Sequence, residues 1–168
     1  MLPLIEQLNE LEAADFERAL APLFEGAPRF VTRLGTERPY GSYEQLLERA
    51  EEIALTMPEQ EKLELIDSHP RIGAAPASVS ALSYREQGYD RAPASADPEL
   101  QATLDRLNEA YEQRFGFRFV IFVAGRPRSA IVPIIEDRLG ASRDEEKERA
   151  LRDVIAIARD RLRKVGAG

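Results

Sequence analysis

The sequence predicts an all-α fold: a single-domain bundle of about eight helices with one extended apolar segment crossing it. Apolar residues recur at helical spacing through most of the 168 residues. Helix-starting residues stand where these patterns begin, as at Ser42, Asp97 and Ser142. The periodicity of the run at 114–123 does not distinguish a buried strand from an extended crossing, and the chain offers no second strand for it to pair with. The length, without repeats or a linker, predicts one domain over residues 1–168.

The first half of the chain predicts short helices followed by two clearer ones. Residues 4–11, 16–24 and 30–34 place apolar side chains three and four positions apart. Proline and glycine residues between these stretches keep the helices short and angled to one another. Ser42-Tyr43-Glu44-Gln45 has the form of a capping box and begins a helix through about Thr56. Pro58 suits the first position of the next helix, which ends at Asp67.

The second half predicts one short helix and three longer ones. Ser80–Gln87 predicts one or two helical turns. Gly88–Pro98 is rich in alanine, proline and aspartate, and we expect an exposed loop that could serve as a lid. Asp97-Pro98 then begins a long amphipathic helix. A further helix is expected over 131–139, and Ser142-Arg143-Asp144-Glu145 is a second capping box that begins the last helix.

The run Arg114–Val123 is aromatic and β-branched, and it is the most apolar stretch of the chain. Without a partner strand, we expect an extended or partly helical segment through the core. Its backbone N–H and C=O groups would then need other partners, because buried backbone polar groups are almost always hydrogen-bonded. A bound ligand could be one of those partners.

Composition excludes several classes of protein. The formal net charge of −7 disfavours nucleic-acid binding and docking on an anionic membrane. No apolar run approaches the roughly 20 residues that span a bilayer. One histidine and no cysteine argue against a metal site, and the N-terminus does not have the pattern of a secretory signal. The chain does not end in Ser-Lys-Leu, so we expect a cytoplasmic protein without nucleic-acid or membrane partners.

His69 is the only histidine, and it stands where a helix must stop. Pro70 biases His69 toward extended geometry, so the imidazole is expected at a helix end that leads into a stiff turn. Histidine is the side chain whose ordinary pKa lies near neutrality, which makes His69 the natural proton carrier in this chain. The alternative is a surface or capping histidine that has no catalytic role.

A second polar cluster lies on the helix that follows. Ser83 and Glu86 are three residues apart and share a helix face, with Gln87 beside them. A carboxylate near a histidine can stabilise its charged form, and Ser and Gln supply neutral donors for carbonyl groups. The alternative is a solvated helix face. Arg161 is a third candidate, since a guanidinium that reaches a pocket can hold a carboxylate in two hydrogen bonds.

In this order, several motifs resemble the family of OHCU decarboxylases, which act on 2-oxo-4-hydroxy-4-carboxy-5-ureidoimidazoline (OHCU). The resemblance covers most of the chain. The motifs are His69-Pro70-Arg71-Ile72-Gly73, Ser83-x-x-Glu86-Gln87, Leu107-Asn108-x-x-Tyr111, Arg114-Phe115-Gly116-Phe117-x-Phe119-Val120-Ile121 and Arg161-Leu162. The chain departs from many relatives at Arg71-Ile72-Gly73 and at Arg118.

The resemblance implies an all-α fold, no cofactor and a small anionic substrate. It implies that His69 and Glu86 form the catalytic pair. It also implies a set of substrate-binding residues, with backbone groups used at the two positions of the apolar segment: Pro70, Ser83, Gln87, Phe119, Ile121 and Arg161. A homodimer is one assembly compatible with this expectation.

The activity that the resemblance implies is decarboxylation of OHCU to (S)-allantoin in urate catabolism. The ring C=N beside the carboxylated carbon can accept the electron pair that CO2 leaves, which explains why no cofactor is expected. Two alternatives stay open. One is a non-catalytic helical binding or scaffold module, and the other is a lyase of the same fold that acts on a different ureido or hydantoin acid.

Overall fold

A computed structural model describes residues 1–92 and 97–166, and within these ranges it is all-α, as the sequence predicts. The described residues contain no β-strand, and a 3₁₀ turn forms at Pro76–Ser78. Nine α-helices lie in the described ranges, one more than the count of about eight: α1 (Ile5–Glu10), α2 (Ala13–Phe24), α3 (Pro28–Thr36), α4 (Tyr43–Thr56), α5 (Glu59–Asp67), α6 (Ala81–Glu86), α7 (Pro98–Phe115), α8 (Arg128–Arg138) and α9 (Arg143–Val165). No described helix is long and apolar enough to cross a membrane.

The chain divides into two compact units, Met1–Ser68 with Leu151–Gly168, and His69–Ala150. The first unit contains α1 to α5 and the C-terminal part of α9. Its core includes Phe16, Phe24 and Phe30, which are almost fully buried because they lie on the apolar faces of α2 and α3. The rings of Phe24 and Phe30 meet edge to face with their centroids 5.1 Å apart.

The second unit contains α6, α7, α8 and the first turns of α9. Its core is an aromatic cluster in which Tyr111 on α7 lies 4.5 Å from Phe115 and 5.1 Å from Phe119, measured between ring centroids. Phe117 joins the same cluster at 6.0 Å from Tyr111. Every ring of this cluster is at most 2% exposed, so the unit has an apolar centre of its own.

Helix starts follow the predicted caps with one difference. Ser142 and Glu145 form the expected reciprocal cap: the Ser142 N–H donates to Glu145 Oε2 at 3.1 Å, and the Glu145 N–H donates to Ser142 Oγ at 3.3 Å. At Ser42 only half of the box forms. Ser42 Oγ accepts from the Gln45 N–H, whereas Gln45 Oε1 accepts from the N–H of Gly41 rather than that of Ser42.

Two further details differ from the expectations. Pro58 is the N-cap of α5 rather than its first helical residue, since its ψ of 150° is not helical. The Gly88–Pro98 stretch is not exposed throughout, because the Tyr89 side chain is only 3% exposed, with the Arg128 guanidinium carbon 4.4 Å from its ring centre. Residues 93–96 of that stretch lie outside the described residues, so the lid stays a prediction.

The apolar run forms neither helix nor strand at 117–123. Burial alternates at 117–119 and at 121–123, where Arg118 and Phe122 are partly exposed between buried neighbours, while Val120 between these stretches is buried as well. This is the pattern of an extended chain, whose successive side chains point to opposite sides. The expectation of an extended or partly helical segment in the core is therefore confirmed, since residues 114–115 end α7 and 117–123 lie outside any helix.

Candidate active site

His69 begins the second unit, directly after the Ser68 C-cap of α5. It is only 3% exposed, which argues against a surface histidine. The residue interacts with its surroundings, and its Nε2 is one of two buried side-chain atoms that form no hydrogen bond in the described ranges; the other is Asn108 Oδ1. Burial of an imidazole away from bulk water is the setting in which proton transfer can be controlled by neighbouring groups.

Side chains from other elements hold residues His69–Ala74, here called the histidine turn, in place. Each donates to a backbone carbonyl of the turn at 2.6–3.2 Å, so these buried or partly buried carbonyls have side-chain partners. The pairs are Arg118 to the His69 carbonyl, Gln87 to that of Arg71, Asn108 to that of Ile72, Gln101 to that of Gly73, and Tyr89 to that of Ala74.

Gly73 lets the turn lie against α7. Its φ is +83°, in the left-handed region that favours glycine. A Cβ at this position would lie 3.2 Å from Leu104 Cδ1 and 3.3 Å from Gln101 Nε2. Both the backbone conformation and the space therefore select glycine here, and the close approach fixes the turn against the helix.

The Ser83–Gln87 cluster lies on α6 and its C-terminal cap. Ser83 and Gln87 are buried, at 3% and 5% exposure, while Glu86 is partly exposed as the last residue of the helix. The solvated-face alternative is therefore wrong for Ser83 and Gln87. Glu86 is not isolated, because it takes part in at least one polar or electrostatic interaction with another group.

The Gln87 side chain bonds to the histidine turn. Its Oε1 accepts from the Gly73 N–H at 2.7 Å, and its Nε2 donates to the Arg71 carbonyl at 2.9 Å. The phenol oxygen of Tyr89 also lies 3.3 Å from Oε1, while its single hydrogen points to the closer Ala74 carbonyl. Both polar atoms of the amide are thus used within the protein, and the substrate contact that we expected from Gln87 stays a prediction.

The apolar segment reaches the same turn through Arg118, whose NH1 donates to the His69 carbonyl at 3.2 Å. Phe119 and Ile121 are 0% and 8% exposed. Within residues 1–92 and 97–166, no hydrogen bond is formed by the backbone N–H or C=O of either residue. Buried backbone groups rarely stay without partners. The ligand contacts expected at these two residues stay a prediction.

Arg161 lies in the other unit, on the C-terminal part of α9, and is 1% exposed. Its NH2 pairs with Glu25 Oε1 at 2.7 Å, and its NH1 donates to the Pro22 carbonyl at 3.0 Å. Of Arg159, Arg161 and Arg163 near the C-terminus, Arg161 is the buried one. Its anion-binding role stays a prediction.

Charged and phenolic groups around the turn have shifted pKa values. Hydrogen bonding to Glu112 raises the pKa of Arg71, and burial raises the pKa of Tyr89. Arg71 Nε lies 2.7 Å from Glu112 Oε1, which ties the turn to α7 by an ion pair. Tyr89 therefore stays a neutral donor to the Ala74 carbonyl through the physiological range.

A cavity of about 370 Å³ lies in the second unit, between the end of α6 and the start of α8. Three arginines line it, Arg91, Arg126 and Arg128, together with Gln87 and Asp97. Gln87 is the predicted site residue on its lining. In the described ranges, no group of three or more His, Cys, Asp or Glu side chains is arranged to hold a metal ion.

Sequence reasoning missed two polar residues that the structure places beside the predicted site. Asn108 is fully buried and donates to the Ile72 carbonyl at 2.8 Å. Arg149 donates to the Val120 carbonyl at 2.9 Å. Asn108 stands in a motif that carries the family resemblance, which was a signal without an assigned role. Arg149 gave no signal, because it looks like one more charge on a long amphipathic helix.

Comparison with protein families matches the OHCU decarboxylase model to residues 9–163. Among curated proteins, the chain is 31% identical to the 2-oxo-4-hydroxy-4-carboxy-5-ureidoimidazoline decarboxylase of Halalkalicoccus jeotgali, over 94% of this chain and 89% of that protein. It is 32% identical to the "Uric acid degradation bifunctional protein" of Bacillus sp. (strain TB-90). That match covers 96% of this chain but spans only 32% of the length of the Bacillus protein.

Solved structures share the fold. A crystal structure of OHCU decarboxylase in the presence of (S)-allantoin superposes with a TM-score of 0.70 at 22% identity, covering 92% of this chain and 98% of that one. A crystal structure of (S)-allantoin synthase gives a TM-score of 0.69 at 19% identity, covering 96% of this chain and 53% of the other. At these identities the likeness supports the all-α fold alone.

Proposed function

Because this chain belongs to the OHCU decarboxylase family, we propose that it removes CO2 from OHCU and forms (S)-allantoin, as a step in urate degradation. The observation that carries the proposal is the joining of three predicted site segments within one unit. Gln87 bonds to Arg71 and Gly73, and Arg118 bonds to His69, so the histidine turn, the end of α6 and the apolar segment lie together.

We assign proton transfer to His69, supported by Glu86. Pro70, Ser83 and Gln87 border the reacting groups, and the backbone groups of Phe119 and Ile121 bind the amide-like ring and ureido atoms. Such a ligand presents N–H donors and C=O acceptors in alternation. An extended backbone also presents N–H and C=O groups in alternation, so the two can form several hydrogen bonds side by side. The assignment of Arg161 to the substrate carboxylate follows from the family resemblance.

The reaction needs one electron sink and one proton. When the C–CO2 bond breaks, its electron pair moves toward the adjacent ring C=N, and a proton is taken up at the ring nitrogen. Transfer of the hydroxyl proton away from oxygen then forms the carbonyl, and a proton is added at the ureido-bearing carbon. The net change is the loss of CO2 and the uptake of one proton. The protein's part is orientation and stereospecific proton delivery.

A coupled assay tests the proposal. Urate oxidase and hydroxyisourate hydrolase generate OHCU from urate, and circular dichroism follows the appearance of (S)-allantoin. We expect the purified chain to accelerate formation of the S enantiomer well above the spontaneous rate. Spontaneous decay supplies the control. A well-folded protein that leaves both rate and enantiomer unchanged would refute the proposal and favour a binding module or a lyase for another ureido acid.

We further propose that the chain acts as a single domain and a homodimer in the cytoplasm. One family model spans both compact units, which supports a single functional domain. Sedimentation velocity measures the oligomeric state directly: a boundary at twice the mass of 18.9 kDa is expected, and a monomer at working concentrations contradicts the homodimer.

A further inference from the structure

Glu146 is a buried carboxylate on α9 with three polar partners. It is 0% exposed, which would be costly for an unpaired charge. The phenol of Tyr111 donates to its Oε2 at 2.6 Å, and Arg149 donates from NH2 to the same oxygen at 3.0 Å. Arg138 NH1 lies 3.6 Å from Oε1. The carboxylate therefore fixes the orientation of the Arg149 guanidinium.

The other end of that guanidinium reaches the apolar segment. Arg149 NH1 donates to the Val120 carbonyl at 2.9 Å. The central carbon of the guanidinium also lies 5.2 Å from the centre of the Phe119 ring, a cation–π distance. Arg149 is thus shared between a buried carboxylate and the backbone of the segment whose neighbouring residues we propose as ligand-binding groups.

The direction of the Val120 carbonyl determines the direction of its neighbours. In an extended chain, the polar backbone groups of successive residues point to opposite sides, and those of residues i and i+2 point to the same side. With the Val120 carbonyl directed at Arg149, the backbone groups of Phe119 and Ile121 point away from it. These are the groups that form no hydrogen bond within the described ranges.

We propose that Arg149 is a positioning residue for the decarboxylation: it fixes the rotation of the 119–121 backbone so that the Phe119 and Ile121 groups face the ligand. This inference rests on the proposed function. Two properties of arginine matter here. Its planar fork reaches a carboxylate and a carbonyl at once, and its charge offsets that of buried Glu146. Lysine, with one nitrogen on a flexible stem, cannot hold both with the same geometry.

Arg149→Lys and Arg149→Met test the proposal, with Glu148→Gln as the matched control on the exposed side of the same helix. Both Arg149 variants are expected to raise the KM for OHCU and the Kd for (S)-allantoin by about tenfold, the loss of roughly one hydrogen bond to ligand. The kcat should change by less than about threefold, because His69 and Glu86 are untouched. The control should match the wild-type protein.

Amide NMR provides a second readout that a merely stabilising role would not alter. In ¹⁵N-labelled wild-type protein, the Phe119 and Ile121 amide signals should shift when (S)-allantoin is added. In the Arg149→Lys protein, which keeps the charge that Glu146 needs, these shifts should be reduced at the same ligand concentration.

Two results would overturn the role of Arg149. One is a folded Arg149→Lys protein with wild-type KM and (S)-allantoin affinity, and the other is wild-type amides at 119 and 121 that do not respond to (S)-allantoin. Either result with normal wild-type turnover removes the inference and leaves the proposed function intact. Absence of OHCU turnover by the wild-type protein removes the proposed function itself.

Discussion

At the scale of single residues, the site depends on polar side chains that form hydrogen bonds with the backbone. Both hydrogens of the Asn108 amide are donated to carbonyls, one of Ile72 and one of Leu104. This leaves Asn108 Oδ1 buried and without a hydrogen bond among the described residues. The orientation of the amide is chemically determined, because the reverse orientation would set oxygen against two carbonyl oxygens. Asn108 therefore acts as a clamp on the histidine turn.

Replacing Asn108 with Asp should loosen the turn and slow the reaction. The carboxylate cannot donate to the Ile72 carbonyl and repels it, so we expect a stability loss of about 1–3 kcal/mol. The kcat should fall while KM changes little, since His69 moves relative to the substrate. Denaturant unfolding and steady-state kinetics measure the two effects. Gln113→Ala is the control, because the Gln113 side chain is exposed and its one hydrogen bond among the described residues is to Glu109 on its own helix. Wild-type kcat in a folded Asn108→Asp protein contradicts the clamp.

At the scale of elements, turns and caps carry more of the site than the helices do. The sequence identified most helices, because apolar spacing and capping residues are local signals. It also identified the extended segment and the place of His69. It could not identify the side chains that hold these segments in place. The Asn108 side chain bonds to the Ile72 carbonyl, 36 residues away, and the Arg149 side chain bonds to the Val120 carbonyl, 29 residues away. Such pairs depend on tertiary packing. Helical periodicity and capping residues are local signals, so a single sequence does not reveal contacts between residues this far apart.

Gly73→Ala tests the turn as an element, with Gly26→Ala as the control. Both glycines have φ near +85°, but a Cβ at Gly26 meets nothing within 4 Å. We expect the Gly26 variant to lose about 1–2 kcal/mol of stability from backbone strain alone. The Gly73 variant should lose more, because its Cβ also meets Leu104, and its kcat should fall. Thermal unfolding and kinetics provide the comparison; equal losses with unchanged kcat would show that the close approach to α7 is unimportant.

At the scale of the whole molecule, an acidic surface is offset by arginine pairs. The chain carries a formal charge of −7, and several carboxylates have arginine partners that also join neighbouring helices. The pairs Arg33–Glu61 and Arg49–Glu37 lower the pKa of each carboxyl, mainly by hydrogen bonding. Ser142 lowers the pKa of Glu145 in the same way at the start of α9. These groups make stability depend on pH.

Acidification should lower the melting temperature. A carboxyl whose pKa is lower in the folded than in the unfolded chain binds fewer protons when folded, so its contribution is present above the ordinary pKa of 4.5 and is lost as pH falls through the lowered value. We expect Tm to decline as the pH is taken from 5 to 3, and Glu61→Gln to flatten part of the decline. Differential scanning calorimetry measures both. A rising Tm would mean that relief of the net negative charge outweighs the loss of these pairs.

The central claim is that the buried imidazole of His69 moves a proton during decarboxylation. The most direct measurement is the kcat of His69→Gln for OHCU, compared with its affinity for (S)-allantoin. The account predicts a fall in kcat of at least about a hundredfold, the usual contribution of a general acid–base, with allantoin affinity within a few-fold of the wild-type value. A folded His69→Gln protein with wild-type kcat would contradict it.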